Sequence, residues 1–307
     1  VCIINTIPMI EQNNEIQEFS IDQLNEELDV KDIVFSLMVD PNLAAINYFN
    51  DFTEESSDLS SVSNDENAEA GMFCSADGQL VVLSTHAFHH HLETDPQQAT
   101  EILVARAVRK MICFGAVPEA ISSFLYHINV ADPNGQFIAA GAKKGLENAC
   151  LKFNVKMIDR KIRFDYFSAH GPVSPTIIIS IMATIPDKEK LVTHSFKNKG
   201  NSLFMIGNSY DDINSSEYLE FYHGISNSAL PYFDLETEVK LLDVMKMLIE
   251  AKLITSANPV SKGGLFFTLL RAGMPLELGF DITSDAEIRT DSFLFGESMG
   301  RIVVGVD

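Results

Sequence analysis

The 307-residue sequence predicts an α+β protein of two modules, and three observations carry that reading. Helix-period and strand-period segments alternate across residues 78–187. Within them, residues 175–187 (PTIIISIMATIPD) form a β-branched run apolar on both faces, which places a strand inside the fold. Beyond residues 187–196 the pattern changes to a fresh strand–helix alternation, so the modules divide as 1–190 and 191–307.

Taken in order, residues 5–10 read as a strand end, and 32–51 carry helical apolar spacing interrupted at Pro41. Residues 52–71 are rich in Ser and acidic side chains with little to bury, which predicts a mobile loop. A strand is expected at 78–85. Next comes a helix at 94–118, whose stripe of Leu103, Ala107, Met111 and Phe114 ends at Gly115. Residues 120–130 predict a strand, 135–153 a helix and 175–187 the buried strand. In the second module a strand is expected at 201–207. Residues 235–254 predict a helix with charges at 236, 240, 243, 246 and 250. Residues 256–262 read as a polar turn, Gly263 and Gly264 open an apolar helix, and 276–282 and 300–307 read as strands.

Composition narrows the function classes. Apolar content of 46% without any run of about 18 uncharged apolar residues excludes a helical membrane protein. The net charge of −21 is uneven: up to residue 105 a single basic residue, Lys31, stands against 20 Asp and Glu. Such a surface repels nucleic acid and anionic lipid, so neither is an expected partner. Cys2, Cys74, Cys113 and Cys150 form no CxxC pair, which suits reduced thiols and a cytoplasmic setting. The chain begins with Val1 rather than Met, as an excised piece would.

Few stretches carry chemistry. Gly263 and Gly264 stand where helix N-terminal amides could hold an anion, but Lys262 precedes them, and the turn holds Asn258 and Pro259 without carboxylate or histidine. Residues 86–93 (HAFHHHLE) are the densest set of potential metal ligands, with His86 and His90 four apart. They follow a strand, where helical spacing fails and neighbouring imidazoles diverge, so a solvent-facing loop is the expectation. Cys113 falls in an apolar helix stripe and reads as core. Ser261 has no His or acid nearby in sequence to activate it.

Several stretches together resemble the phosphoribosylformylglycinamidine synthase family, specifically the second half of its duplicated synthetase polypeptide. Residues 211–238 (DDINSSEYLEFYHGISNSALPYFDLETE) carry the longest likeness, and residues 295–306 (FGESMGRIVVGV) resemble the family's FGES-x-GR strand. Residues 38–45 (MVDPNLAA) and 114–120 (FGAVPEA) resemble two further motifs. The resemblance implies an aminoimidazole ribonucleotide synthetase-like fold. Its A domain has an antiparallel sheet that closes into a barrel on dimerisation, and its B domain is α/β, ending beyond Asp307. It also implies ATP and Mg²⁺ in a cleft between the domains, phosphoryl transfer to a formamide oxygen, displacement by ammonia, and a possible glutaminase partner.

Matched position by position, the family's ligand-binding groups are mostly replaced. His86 stands at the metal-binding Asp and His90 at an Arg, while Asp95 and Pro96 remain. The next helix keeps Arg109 but has Arg106 for Glu and Lys110 for Asn. Leu125 and Asn129 remain in one loop, residues 159–163 (DRKIR) replace a phosphate-holding SGNVS, and Asn258, Pro259 and Lys262 replace His, Asp and Asp. The expectation is therefore a chain without catalytic residues, metal or cofactor of its own. Asp95, Arg109, Asn129, Lys262, Gly263, Gly264, Glu297 and Ser298 are its residual pocket candidates, and His86 with His90 the weaker metal alternative. Such a half would form a homodimer, or a pseudo-dimer with a related catalytic half. The other reading is an active segment of the ATP-dependent synthase itself.

Overall fold

The computed structural model describes residues 29–40, 70–75, 78–89, 91–164, 167–168, 171–226, 228–283 and 287–307, with 24 and 43. The strand end expected at 5–10, the loop at 52–69 and His90 lie outside them.

Aspartate caps start four of the helices. Asp29 accepts from the Lys31 and Asp32 amides ahead of α1 (Val30–Leu37). After β1 (Gly71–Cys74) and β2 (Leu80–Phe88), Asp95 caps α2 (Pro96–Cys113). Strand β3 (Val117–Tyr126) leads to α3 (Pro133–Phe153), capped by Asp132. In both α2 and α3 the cap is followed by proline, whose fixed φ and missing N–H suit the first helical position. The expected boundaries at 94 and 135 move to these Asp-Pro pairs. Strands β4 (Lys156–Arg163), β5 (Phe167–Ser168), β6 (Gly171–Pro172) and β7 (Thr176–Ile185) complete the first module. The second holds β8 (Ser202–Ile206), a single π-turn at Tyr218–Tyr222, α4 (Leu235–Glu250, capped by Asp234), β9 (Ser256–Pro259), α5 (Gly264–Gly273), α6 (Thr290–Phe295) and β10 (Ile302–Val306).

The larger sheet runs β1-β2-β7-β3-β4 and is antiparallel except for β3 with β4. The sheet is thus mainly antiparallel, as expected, and the one parallel pair follows from α3, which is long enough to carry the chain back across the sheet. Strand β4 is itself an addition, since Lys, Asp and Arg are mixed with Met157, Ile158 and Ile162 without a period of two and give no buried face. It lies at the edge, where charge discourages pairing with other chains. The smaller antiparallel sheet runs β8-β10-β9. Residues 256–259, expected as a turn, are therefore a strand. Residues 276–282, expected as a strand, pair with none: Met274–Leu276 close a 3-10 turn and the segment runs on without a ladder.

Helices α2 and α3 cover one face of the larger sheet, burying Ile177, Ile179, Ile181, Val82 and Ile121. Among the described residues no helix covers the opposite face; it carries Phe73, Leu83, Ile178 and Met182, interrupted by the hydrogen-bonded pair Thr85 and Ser180 at 3.1 Å. The main core does not stop at the module boundary. Leu242, Met245, Ala257, Ile302 and Val304 belong to the same cluster as α2 and β7. Cys113 lies in that core, and burial pushes its thiol up to about 12. Among the described residues Cys74, Cys113 and Cys150 are free thiols, and no helix is long and apolar enough to cross a membrane.

The contact of α2 with α3 tests this packing. A Cβ added at Gly145 would stand 2.4 Å from the Gln97 carbonyl oxygen and 2.9 Å from Thr100 Cβ. Helix propensity alone favours alanine over glycine by about 1 kcal/mol. The clash reverses that sign, so Gly145→Ala is expected to destabilise by roughly 1–3 kcal/mol. Chemical denaturation checks it; a more stable variant contradicts the close packing.

Candidate functional site

Helix α2 is buried almost all round, and its Arg106 and Arg109 turn toward the second module. Arg109, fully buried, donates from Nε to Glu238 Oε1 at 2.6 Å and from an Nη to Oε2 at 2.8 Å. Glu238 lies in the first turn of α4, so this bidentate pair fastens the two modules through their central helices. Arg106 donates to the Met299 sulfur at 3.4 Å and lies over the Phe88 ring. Burial lowers its pKa, against the pull of Glu297.

The turn into α5 is held by a second carboxylate. Glu297 Oε1 accepts from the Gly263 amide and from the Glu217 amide, each at 2.9 Å. Burial raises its pKa, while Arg106 and the two amides act the other way. Gly263 and Gly264 have φ of 80° and 70°, and a Cβ at Gly264 would meet the Leu294 carbonyl oxygen at 2.6 Å. The glycine pair is thus required by backbone conformation and by the approach of the α6 end. Lys262 Nζ donates to Glu217 Oε1 at 2.7 Å, and Arg271 donates to the Lys262 carbonyl at 2.7 Å.

Between β2 and α2 on one side and β9 with the start of α5 on the other lies a cleft of about 260 Å³. Of the expected site residues, Arg109, Lys262 and His86 line it. His86 Nε2 is hydrogen-bonded to Ser84 Oγ at 2.8 Å. Asp95 and Asn129 stand elsewhere: Asp95 caps α2, and Asn129 Oδ1 accepts from the Ala131 amide at 2.9 Å. Gly263, Gly264, Glu297 and Ser298 do not line the cleft; Glu297 stands behind the turn, and Ser298 Oγ is buried. Lining residues that sequence alone did not single out are His194, Thr268 and Arg271. Thr268 and Arg271 lie three apart on α5 and share a helix face, but nothing in the sequence ties that face to the cleft.

The lining contains Arg106, Arg109, Lys110, Lys262 and Arg271, and no carboxylate among the described residues. A magnesium ion needs oxygen ligands with at least one or two carboxylates. Five cations and amide or hydroxyl side chains do not fit that donor set. Among the described residues no group of three or more His, Cys, Asp and Glu is placed to hold a metal.

Residues 67–185 match the family model of the AIR synthase related protein, N-terminal domain. Over 292 residues the sequence is 25% identical to the phosphoribosylformylglycinamidine synthase subunit PurL of Alkaliphilus metalliredigens, covering 95% of this chain and 40% of that one. The sequence is therefore similar to PurL subunits. It spans about two-fifths of the length of the curated relatives it matches. The fold is likewise similar to Thermotoga maritima PurL complexed with FGAR, with a TM-score of 0.70 and 16% identity over 92% of this chain and 46% of that one. A ThiL structure, AaThiL complexed with AMPPCP and TMP, gives a TM-score of 0.57 and 13% identity over 85% of this chain and 84% of that one.

The Arg109–Glu238 pair yields a double-mutant test. Glu238→Leu alone strands a buried guanidinium and is expected to cost about 3–5 kcal/mol. Arg109→Met together with Glu238→Leu is expected to recover most of that loss, measured by urea unfolding. Equal destabilisation by the single and double variants contradicts the coupling.

Proposed function

We propose that this chain is a non-catalytic structural half of a phosphoribosylformylglycinamidine synthase-like protein of purine biosynthesis, serving a related catalytic half rather than turning over ATP itself. The single observation that carries this reading is the lining of the cleft between the modules. Where the family resemblance implies metal-binding and acid–base groups, the cleft presents His86, Arg106, Asn258 and Lys262. A cluster of cations repels Mg²⁺, and without the ion a triphosphate lacks the Lewis acid that balances charge during phosphoryl transfer. Meanwhile the residues that match the family's motifs, Glu238 and Glu297, hold backbone and helices in place.

The structural role lies in the larger sheet. Its uncovered face sets Leu83 and Met182, both about two-fifths exposed, beside Ile178 and Phe73. Two such faces closing on one another would bury both, in a homodimer or with a related half, and complete a barrel.

Isothermal titration calorimetry with ATP and Mg²⁺ tests the non-catalytic reading. No binding tighter than millimolar is expected, and Lys262→Asp alone is expected not to create it, because the other cations remain. A micromolar, Mg²⁺-dependent site would overturn the reading. For the sheet face, light scattering of the chain at tens of micromolar is expected to show a dimer that strengthens with salt, as screening relieves acidic repulsion. A monomer at high salt contradicts homodimerisation.

A further inference from the structure

We propose that the groove between β8 and residues 278–282 receives an extended segment of another polypeptide as an added strand, with apolar side chains at alternate positions and basic ones between them. The groove lies in the second module and shares no lining residue with the cleft described above. The inference goes beyond the structural-half reading and stands independently of it.

Two unpaired walls are the first argument. Strand β8 is an outer strand of the smaller sheet, bonded to β10 on one side only. The other wall is residues 277–283, where exposure alternates. Leu278, Phe280 and Ile282 are half-buried against the second module's core, while Glu277, Gly279, Asp281 and Thr283 are exposed. That is the burial period of a strand, and the sequence predicted one there. Yet among the described residues the main-chain groups of 279–283 meet no hydrogen-bond partner. The Leu278 amide donates to the Gly273 carbonyl at 2.9 Å, and a Cβ at Gly273 would stand 2.1 Å from the Leu278 carbonyl oxygen. Successive residues of a strand aim these groups in opposite directions, so those of Gly279 and Asp281 turn to the groove that both residues line.

The second argument is that this edge is unguarded. Strand β4, at one edge of the larger sheet, carries charges that discourage pairing. Strand β8 reads SLFMI, with neither charge nor proline, and Phe204 at its centre is 56% exposed. An open apolar edge is a template for another strand. The groove floor of Leu203, Met205, Leu265, Leu269, Phe293 and Val303 is apolar, so it takes the side chains from alternate positions of an inserted segment.

Geometry and charge select the occupant. At about 1270 Å³ the groove exceeds the roughly 300–1,000 Å³ of small-molecule pockets. A strand lying between two walls needs both of its own edges free. A strand already built into the sheet of a second copy lacks that, and an extended, unfolded segment has it. On the outward side Glu277 and Asp281 are exposed carboxylates with no ion pair among the described residues, and Phe204 exposes its ring on the opposite wall. Lys or Arg at the outward positions of the inserted segment pairs with these carboxylates across the strands and stacks on that ring.

The test is fluorescence anisotropy of the full chain with a labelled, end-blocked octapeptide of alternating Val and Lys, about 26 Å long when extended, in physiological salt. A block octapeptide, all its Val before all its Lys, carries the same charge without the alternation. Micromolar binding of the alternating peptide is expected, with the block peptide about tenfold weaker or worse. Amide hydrogen exchange is expected to slow on binding in β8 and in 278–283, and not elsewhere. Asp281→Lys, at an exposed position, is expected to weaken binding about fivefold, the scale of a cross-strand charge pair. Gly279→Pro removes an amide from the wall at a position where a Cβ meets nothing within 4 Å, and is expected to weaken binding about tenfold. Circular dichroism confirms that each variant is folded, and Asp281→Lys serves if Gly279→Pro does not fold. No binding, equal affinity for the two peptides, or unchanged affinity in the folded variants overturns the inference. Exchange that slows outside the groove also overturns it. So does exchange already slow in both walls before peptide is added, which places a segment of the chain's own there.

Discussion

The structure depends on one buried ion pair. Arg109 lies in the most enclosed helix of the chain, and a guanidinium taken out of water there is tolerable only with a carboxylate held in the same plane. Glu238 supplies it with two short hydrogen bonds, and being in the first turn of α4 it brings that whole helix against α2. Arg109 also reaches the Met299 sulfur, at 3.9 Å, so the segment before β10 is drawn to the same point. An apolar pair of similar volume could be as stable. The charged pair adds direction, because a bidentate fork fixes the rotation of α4 about its axis as well as its distance.

From that junction the second carboxylate follows. With Met299 seated, Glu297 reaches two backbone amides that would otherwise be buried donors, one at Glu217 and one at Gly263. Four residues after Glu297, Arg301 is buried and donates to the Phe293 and Gly296 carbonyls that close α6. Burial pulls its pKa down to about 10. In this chain the FGES-x-GR segment is therefore a set of backbone restraints, each side chain answering orphan amides or carbonyls of another segment. A motif with that role can persist while the neighbouring cleft changes its chemistry, since the two use different atoms of the same turn.

Much of this was legible in the sequence, for identifiable reasons. Strand β7 announced itself because a strand covered on one face and packed on both sides reads as a continuous β-branched run. Helices α2, α3 and α4 showed through their apolar period. Strand β4 was hidden because its edge position leaves both faces wet, so hydrophobicity does not alternate. Strand β9 was hidden because Ser256 and Asn258 are polar yet buried in the smaller sheet. At the site, His86, Arg109 and Lys262 could be singled out in the sequence, and the structure brings all three to the cleft. Arg271 and His194 could not, because only folding brings α5 and residue 194 to the cleft. Nor could sequence tell that Glu238 and Glu297 act inward on the protein, since that depends on partners 129 and 34 residues away.

The continuous core also shapes how the molecule can move. In a protein whose two modules meet only at their surfaces, a cleft between them opens by hinge rotation, and access is gated by a collective swing. Here the residues beneath the cleft belong to one packed cluster that runs from β7 through α2 to β10. Rotating the modules would pull apart a close-packed interior, which resists gradual deformation. Entry and exit are left to the rotamers at the rim, above all the half-exposed Lys262. Such motions take picoseconds to nanoseconds in place of the microseconds to milliseconds of domain closure. The pocket is thus a fixed mould, with traffic through it set by the flicker of a few long side chains.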